Sequence, residues 1–274
     1  MNNKEINLGA VQKTLLLPLW SRAFETQKNK SLLVDKTAVN IIQNMEYDFS
    51  IFERTQDPLS RIAWIARSLY FDSVILSFLK QNPDGTIINA GCGLDTTFDR
   101  IDNGKAYWYE IDLSDVIELR KKYIKENEHR IIIADSILSN DWCGKIKHNK
   151  RILVLFAGLL YYFNENDVKK IFTNISEHLG SCEIVFDYSS PKGVEVANKK
   201  VLEKSGMSNS VKLLWGIGNI NKIKEWGNIE IIESLPMFKR FKKNYPIIKR
   251  IGMNISDMLK IMSLAHIKIE KRSV

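Results

Sequence analysis

Between residues 86 and 187 the chain alternates two hydrophobic patterns. Short runs of mostly apolar residues, Thr86–Ala90, Ala106–Glu110, Arg130–Ala134, Ile152–Phe156 and Glu183–Asp187, read as buried strands. The segments between them, such as Leu113–Glu126 and Glu165–Leu179, repeat their apolar residues every three or four positions and read as helices. This alternation predicts an α/β fold built on a doubly wound, mostly parallel sheet. To about residue 80 the pattern is helical instead. Thr14–Glu25 is apolar with a break at Pro18, Asp35 is placed to cap a helix through Ala38, Ile41 and Ile42, and a helix after Asp57-Pro58 sets Ile62, Ile65, Ala66 and Leu69 on one face. These helices predict a cap over the sheet. After Asp187 the pattern loosens into an insertion, 193–226, before Ile229–Glu233 and Ala265–Lys271 read as two last strands, making seven in one domain.

The most informative stretch is Thr86-Ile87-Ile88-Asn89-Ala90-Gly91-Cys92-Gly93-Leu94-Asp95. An apolar strand that ends in closely spaced glycines turns sharply and leaves main-chain N–H groups at the start of a helix, a corner that can hold a ligand. Gly91 and Gly93 match the first two glycines of the dinucleotide fingerprint, but Thr96 stands where the third belongs, which disfavours a pyrophosphate. Asp95 directly after the corner suits a phosphate-free cofactor such as S-adenosylmethionine (AdoMet). Ligands in such sheets lie beyond the carboxyl ends of the strands, and the second and third strands end in acids there, at Glu110-Ile111-Asp112 and Asp135-Ser136. Asp112 is in reach of ribose hydroxyls, and Asp135 of an adenine amino group. Arg67 adjoins the apolar stripe of its helix, where a guanidinium needs a carboxylate, either Asp72 or one from a ligand.

Composition narrows the class. With 45% hydrophobic and 26% charged residues, the chain of 274 residues is globular. The uncharged run Ile152–Phe163 falls far short of the roughly 20 residues a spanning helix needs, and Met1–Glu5 lacks the features of a signal peptide. A cytoplasmic protein without a membrane partner is expected. Cys92, Cys143 and Cys182 are odd in number and widely spaced, and His129, His148, His178 and His266 are scattered, so neither disulfides nor a metal site are expected. Much of the net charge of +8 gathers in Phe238–Tyr245 and at Lys249-Arg250. Basic residues among aromatics can track a nucleic-acid backbone, although such runs are more often a solvated face.

Several ordered motifs together resemble the leucine carboxyl methyltransferase family and its bacterial O-methyltransferase branch. They are Pro18-Leu19-Trp20-Ser21-Arg22-Ala23, Ala66-Arg67 with Asp72, Asn89–Thr96, Tyr109-Glu110-Ile111-Asp112-Leu113, Ala134-Asp135 and Gly158-Leu159-Leu160-Tyr161-Tyr162. The resemblance implies a class I AdoMet methyltransferase in which Arg67, aided by Arg22, binds the cofactor carboxylate. It also implies that Gly91, with Gly93, lines the methionine part, Asp112 holds the ribose and Asp135-Ser136 hold adenine. Two departures stand out, since the leucine carboxyl enzymes have glutamate where this chain has Ala157 and leucine where it has Ser136. Loss of the glutamate favours a small-molecule methyl acceptor over a protein phosphatase. The alternatives are a nucleic-acid methyltransferase that uses the basic segment and an AdoMet-binding protein without transfer activity. No catalytic base is assigned.

Overall fold

The computed structural model describes residues 14–147, 150–202 and 211–271. Four helices come first: α1 (Leu16–Thr26), α2 (Lys36–Asn44), α3 (Ser50–Thr55) and α4 (Pro58–Gln81). The sheet follows as β1 (Thr86–Ala90), α5 (Thr97–Ile101), β2 (Tyr107–Asp112), α6 (Ser114–Tyr123), β3 (Arg130–Ala134), α7 (Asp141–Gly144), β4 (Ile152–Phe156), α8 (Glu165–His178) and β5 (Cys182–Ser189). After α9 (Pro191–Ala197) come β6 (Ile229–Pro236), α10 (Ile247–Met258) and β7 (Met262–Ile269). His148 and residues 203–210 of the expected insertion lie outside the described residues.

The seven strands run in the order β3-β2-β1-β4-β5-β7-β6. β1 to β5 pair in parallel, and β7 pairs antiparallel with both β5 and β6. Alternation along the strands sorts the core into two layers. Ile88, Val154, Phe156, Ile184 and Phe186 meet Val168, Ile171, Phe172 and Ile175 of α8. Ile87, Trp108, Leu153, Leu155 and Val185 meet α4 on the other face.

Helix α4 differs from its expected single stripe. Ala63 and Trp64 are buried alongside Ile62, Ile65 and Ala66, while Leu69 is half-exposed, because the helix is sandwiched between the sheet and the aromatic cluster of α1 and α3. Asp57 caps it by accepting from Ser60 N–H at 3.2 Å, and Pro58 takes the first turn, where a missing N–H costs nothing. Among the described residues α4 is the one helix whose length and composition would let it cross a membrane, yet 67% of its most apolar window is buried inside this fold.

Charge is also buried beneath the sheet edge. Glu110, 1% exposed, lies within β2 and accepts from Arg120 Nε and Arg130 Nε, both at 3.0 Å. It therefore sits below the strand end and does not face a ligand, contrary to the sequence expectation. Arg120 goes on to donate to the carbonyls of Gly93 and Asp95, each at 2.8 Å, so this ion cluster supports the glycine corner from behind. Glu110→Gln strips the counter-charge from two buried arginines. It should cost about 3–5 kcal/mol of stability, seen as a lower urea midpoint at unchanged slope. A loss below about 1 kcal/mol, the worth of an exposed pair, would mean that the cluster is solvated.

Candidate active site

The site is assembled where β1 to β4 end. After Ala90 the backbone turns at Gly91, whose φ of +66° suits glycine, and an added Cβ would sit 2.7 Å from Leu159 Cδ1. Gly93 N–H donates to Asp112 Oδ2 at 2.7 Å, and Leu113 N–H donates to Asp112 Oδ1 at 2.8 Å. Asp112 is the last residue of β2, two beyond the expected strand end, and burial raises its pKa above the ordinary carboxylate value. Asp135 follows β3, and its N–H donates to the Asp112 carbonyl at 2.9 Å, which sets the two acids side by side. Asp135 Oδ2 accepts from Lys145 Nζ at 2.9 Å, and its Oδ1 accepts from Ser136 N–H at 2.8 Å.

A cavity of about 460 Å³ spreads over these strand ends. Gly91, Asp112, Asp135, Ser136 and Arg67 line it, so five of the seven candidate residues come together. Gly93 and Arg22 instead line a smaller adjoining space of about 60 Å³, which Arg67 also borders. Arg22 is committed elsewhere: Nε donates to Asp35 at 2.8 Å and Nη2 to the Leu94 carbonyl at 2.9 Å.

Arg67 is paired, but not with Asp72. Its Nη1 donates to Asp187 Oδ2 at 2.9 Å, whereas Asp72 accepts from Arg100 at 2.7 and 3.1 Å. Asp187 lies within β5 and is fully enclosed; its other oxygen accepts from Gly158 N–H at 2.6 Å, and Tyr161 donates its hydroxyl to the same carboxylate. Burial opposes the charge on Arg67, but the neighbouring Asp187 outweighs it and raises the guanidinium pKa. Gly158 is essential to this packing, because a Cβ there would lie 2.5 Å from Arg67 Nη1. Asp187 and Tyr161 were not singled out from the sequence. A carboxylate closing the apolar run Ile184-Val185-Phe186 was the available signal, as it was for Asp112.

Away from the acids the cavity is apolar and aromatic, with Trp64, Leu159, Tyr162, Leu213 and Met262 in its wall and Thr14 of the cap bonded to the Tyr162 hydroxyl at 2.9 Å. Burial, and for Tyr161 also Asp187, holds the pKa of both tyrosines above the ordinary phenol value, so they are protonated donors near neutrality. Ala157 lies between the two spaces, and the acid nearest Arg67 comes from β5. The basic segment turns its aromatics inward: Phe238 and Tyr245 are buried, and Arg240 pairs with Glu233 at 2.6 Å.

Residues 16–176 match the model of the leucine carboxyl methyltransferase family. The chain belongs to this family. It is an AdoMet-dependent methyltransferase. It is 30% identical over 216 residues to the tetracenomycin polyketide synthesis O-methyltransferase of Streptomyces glaucescens, covering 78% of each chain. It is also 26% identical over 193 residues to an S-adenosyl-L-methionine-dependent methyltransferase of Gibberella zeae, covering 65% of this chain and 64% of the other. A DUF574 family protein of Streptomyces avermitilis shares the fold with a TM-score of 0.61 at 10% identity, over 94% of this chain and 97% of that one.

In this methyltransferase the glycine-corner thiol is inert by placement. Burial pushes Cys92 well above its ordinary pKa, and it raises Cys143 and Cys182 to about 12. Since the thiolate is the reactive form, a disulfide reagent at about pH 8 should label none of the three rapidly in the native enzyme and all three after denaturation. Rapid native labelling of Cys92 would show the corner to be open to solvent.

Proposed function

We propose that the enzyme transfers the AdoMet methyl to an oxygen of a small, largely apolar molecule. One observation carries this reading: a single cavity has two carboxylates at one end and an aromatic, apolar wall at the other. Asp112, held at both oxygens by main-chain N–H groups, keeps lone pairs for ribose hydroxyls. Asp135 and Ser136 offer polar groups to adenine, and Gly91 leaves room for the methionine chain. Arg67 gives one arm to Asp187 and presents the rest of its fork to both spaces, where a cofactor carboxylate fits. Arg22 contributes by fixing the cap to the corner rather than by touching the ligand.

When bound, the cofactor supplies a methyl group on a sulfonium, and the chain's task is alignment and exclusion of water. Trp64, Leu159 and Met262 form a dry wall for the acceptor. No histidine, cysteine or lysine is among the cavity's described lining residues, and Tyr161 is a donor, so no general base is assigned to the acceptor oxygen. The loop after β4, Ala157-Gly158-Leu159-Leu160, lacks the acid and prolines usual in enzymes that methylate base amines. The similarity to an O-methyltransferase of polyketide synthesis supports the same reading.

Two experiments test it. With methyl-labelled AdoMet and cell extract, label should enter an organic-extractable small molecule; label recovered in RNA, DNA or protein would overturn the assignment. For the cofactor end, Arg67→Lys keeps a charge for Asp187 but loses the fork. It should weaken S-adenosylhomocysteine by about 1–3 kcal/mol in calorimetry and leave a decarboxylated analogue nearly unchanged. Equal losses for both would restrict Arg67 to its structural pair.

A further inference from the structure

Helix α10 turns its apolar side outward. Ile247, Ile248, Ile251, Ile255, Met258 and Leu259 are 40–80% exposed, and at helical spacing they fall in one arc of about 120°. The opposite side is locked onto the protein. Met253 is fully buried, Gly252 faces Leu59, Asp257 accepts from Phe238 N–H at 3.1 Å, and Arg250 donates to the carbonyls of Tyr245 and Lys243 at 2.6 and 2.8 Å. Rotating the helix to hide the isoleucines would break all four contacts. A contiguous apolar patch of this size marks a contact surface.

Charge identifies what it contacts. Residues 238–261 hold seven basic residues (Lys239, Arg240, Lys242, Lys243, Lys249, Arg250 and Lys260) against one acid, Asp257, which is +6 of the chain's +8. Lys239, Lys243, Lys249 and Lys260 are exposed on this segment.

We propose that α10 and the turn before it form a surface anchor that lies in the headgroup layer of a membrane rich in anionic lipid. The helix is 12 residues long, about 18 Å, which is too short to span a bilayer but suits one that lies in its surface with lysines at the headgroups. A second copy docking on this face would set like charges against each other across the two-fold axis. A nucleic acid would leave the isoleucines uncovered. The anchor adjoins the acceptor end of the cavity: Lys260 accepts from Ser190 N–H at 3.3 Å, and Met262, two residues on, is in the cavity wall. An apolar acceptor dissolved in lipid would thus be held close to the site. This departs from the sequence expectation of no membrane partner.

The full-length enzyme should co-sediment with vesicles of phosphatidylglycerol and phosphatidylcholine in equal parts, and roughly tenfold or more weakly with phosphatidylcholine alone. Ile248→Glu with Ile251→Glu, both at exposed positions, should reduce anionic-vesicle binding by roughly tenfold or more, with unchanged circular dichroism and melting temperature. Lys243→Glu with Lys249→Glu should reduce it as well. No sedimentation with anionic vesicles, or equal binding by the isoleucine variant, would overturn the proposal. So would light scattering that shows a dimer which the isoleucine variant converts to monomer.

Discussion

One buried carboxylate joins the cap to the sheet. Asp35 is fully enclosed, caps α2 by accepting from Ala38 N–H at 2.8 Å, and receives Arg22 Nε, Thr96 Oγ1 and Arg100 Nη1 on its other oxygen at 2.8, 2.5 and 3.1 Å. Those donors come from α1, the glycine corner and α5. The residue that breaks the dinucleotide fingerprint, Thr96, is therefore the point where the corner is fastened to the cap. A glycine there could not donate this bond. A corner fixed on both sides, by Asp35 in front and by the Glu110 and Arg120 pair behind, has its backbone course set before any ligand arrives, with the N–H groups of Gly91, Cys92, Gly93 and Asp95 bonded inside the protein rather than left for a ligand.

The same logic divides the cavity. At its polar end Arg67 is paired with Asp187 and Asp135 with Lys145, while Asp112 is held by main-chain N–H groups. The zwitterionic amino-acid end of the cofactor can then enter beside Arg67 and Asp187 without stripping either of its partner. At its other end the described lining is mostly apolar and aromatic, with hydroxyls from Thr14, Ser60, Ser189 and the two tyrosines, so selection among acceptors rests largely on shape.

Much of this was legible from residue patterns. The first five strands and the final pair follow from runs and alternation; four of the five cavity-lining candidates follow from where those runs stop, and the fifth, Arg67, from its place beside a helical apolar stripe. What escaped was long-range. Arg67 and Asp72 are five apart, and on a helix such residues point to different sides, so the pair was excluded by geometry; the true partner is 120 residues on. Glu110 and Asp112 have the same parity on β2. Only depth separates them, at about 3.3 Å per residue, and two residues below the end a carboxylate meets Arg120 and Arg130 instead of a ligand. For α10 the sequence reveals an amphipathic helix but not which side faces the protein, since that depends on Asp257, Arg250 and Met253 finding partners.

The cap helices precede the strands they pack on, and that order has a consequence for synthesis. A ribosome delivers α1 to α4 before β1 to β7, and the partners that fasten them, Thr96 and Arg100 for Asp35 and Asp187 for Arg67, emerge 61, 65 and 120 residues later. Helix α4, apolar on nearly every side, must wait in that interval without the sheet that will cover it. An emerging chain thus exposes this helix to aggregation until the sheet that covers it is made, and holding factors that bind apolar helices would act in that interval.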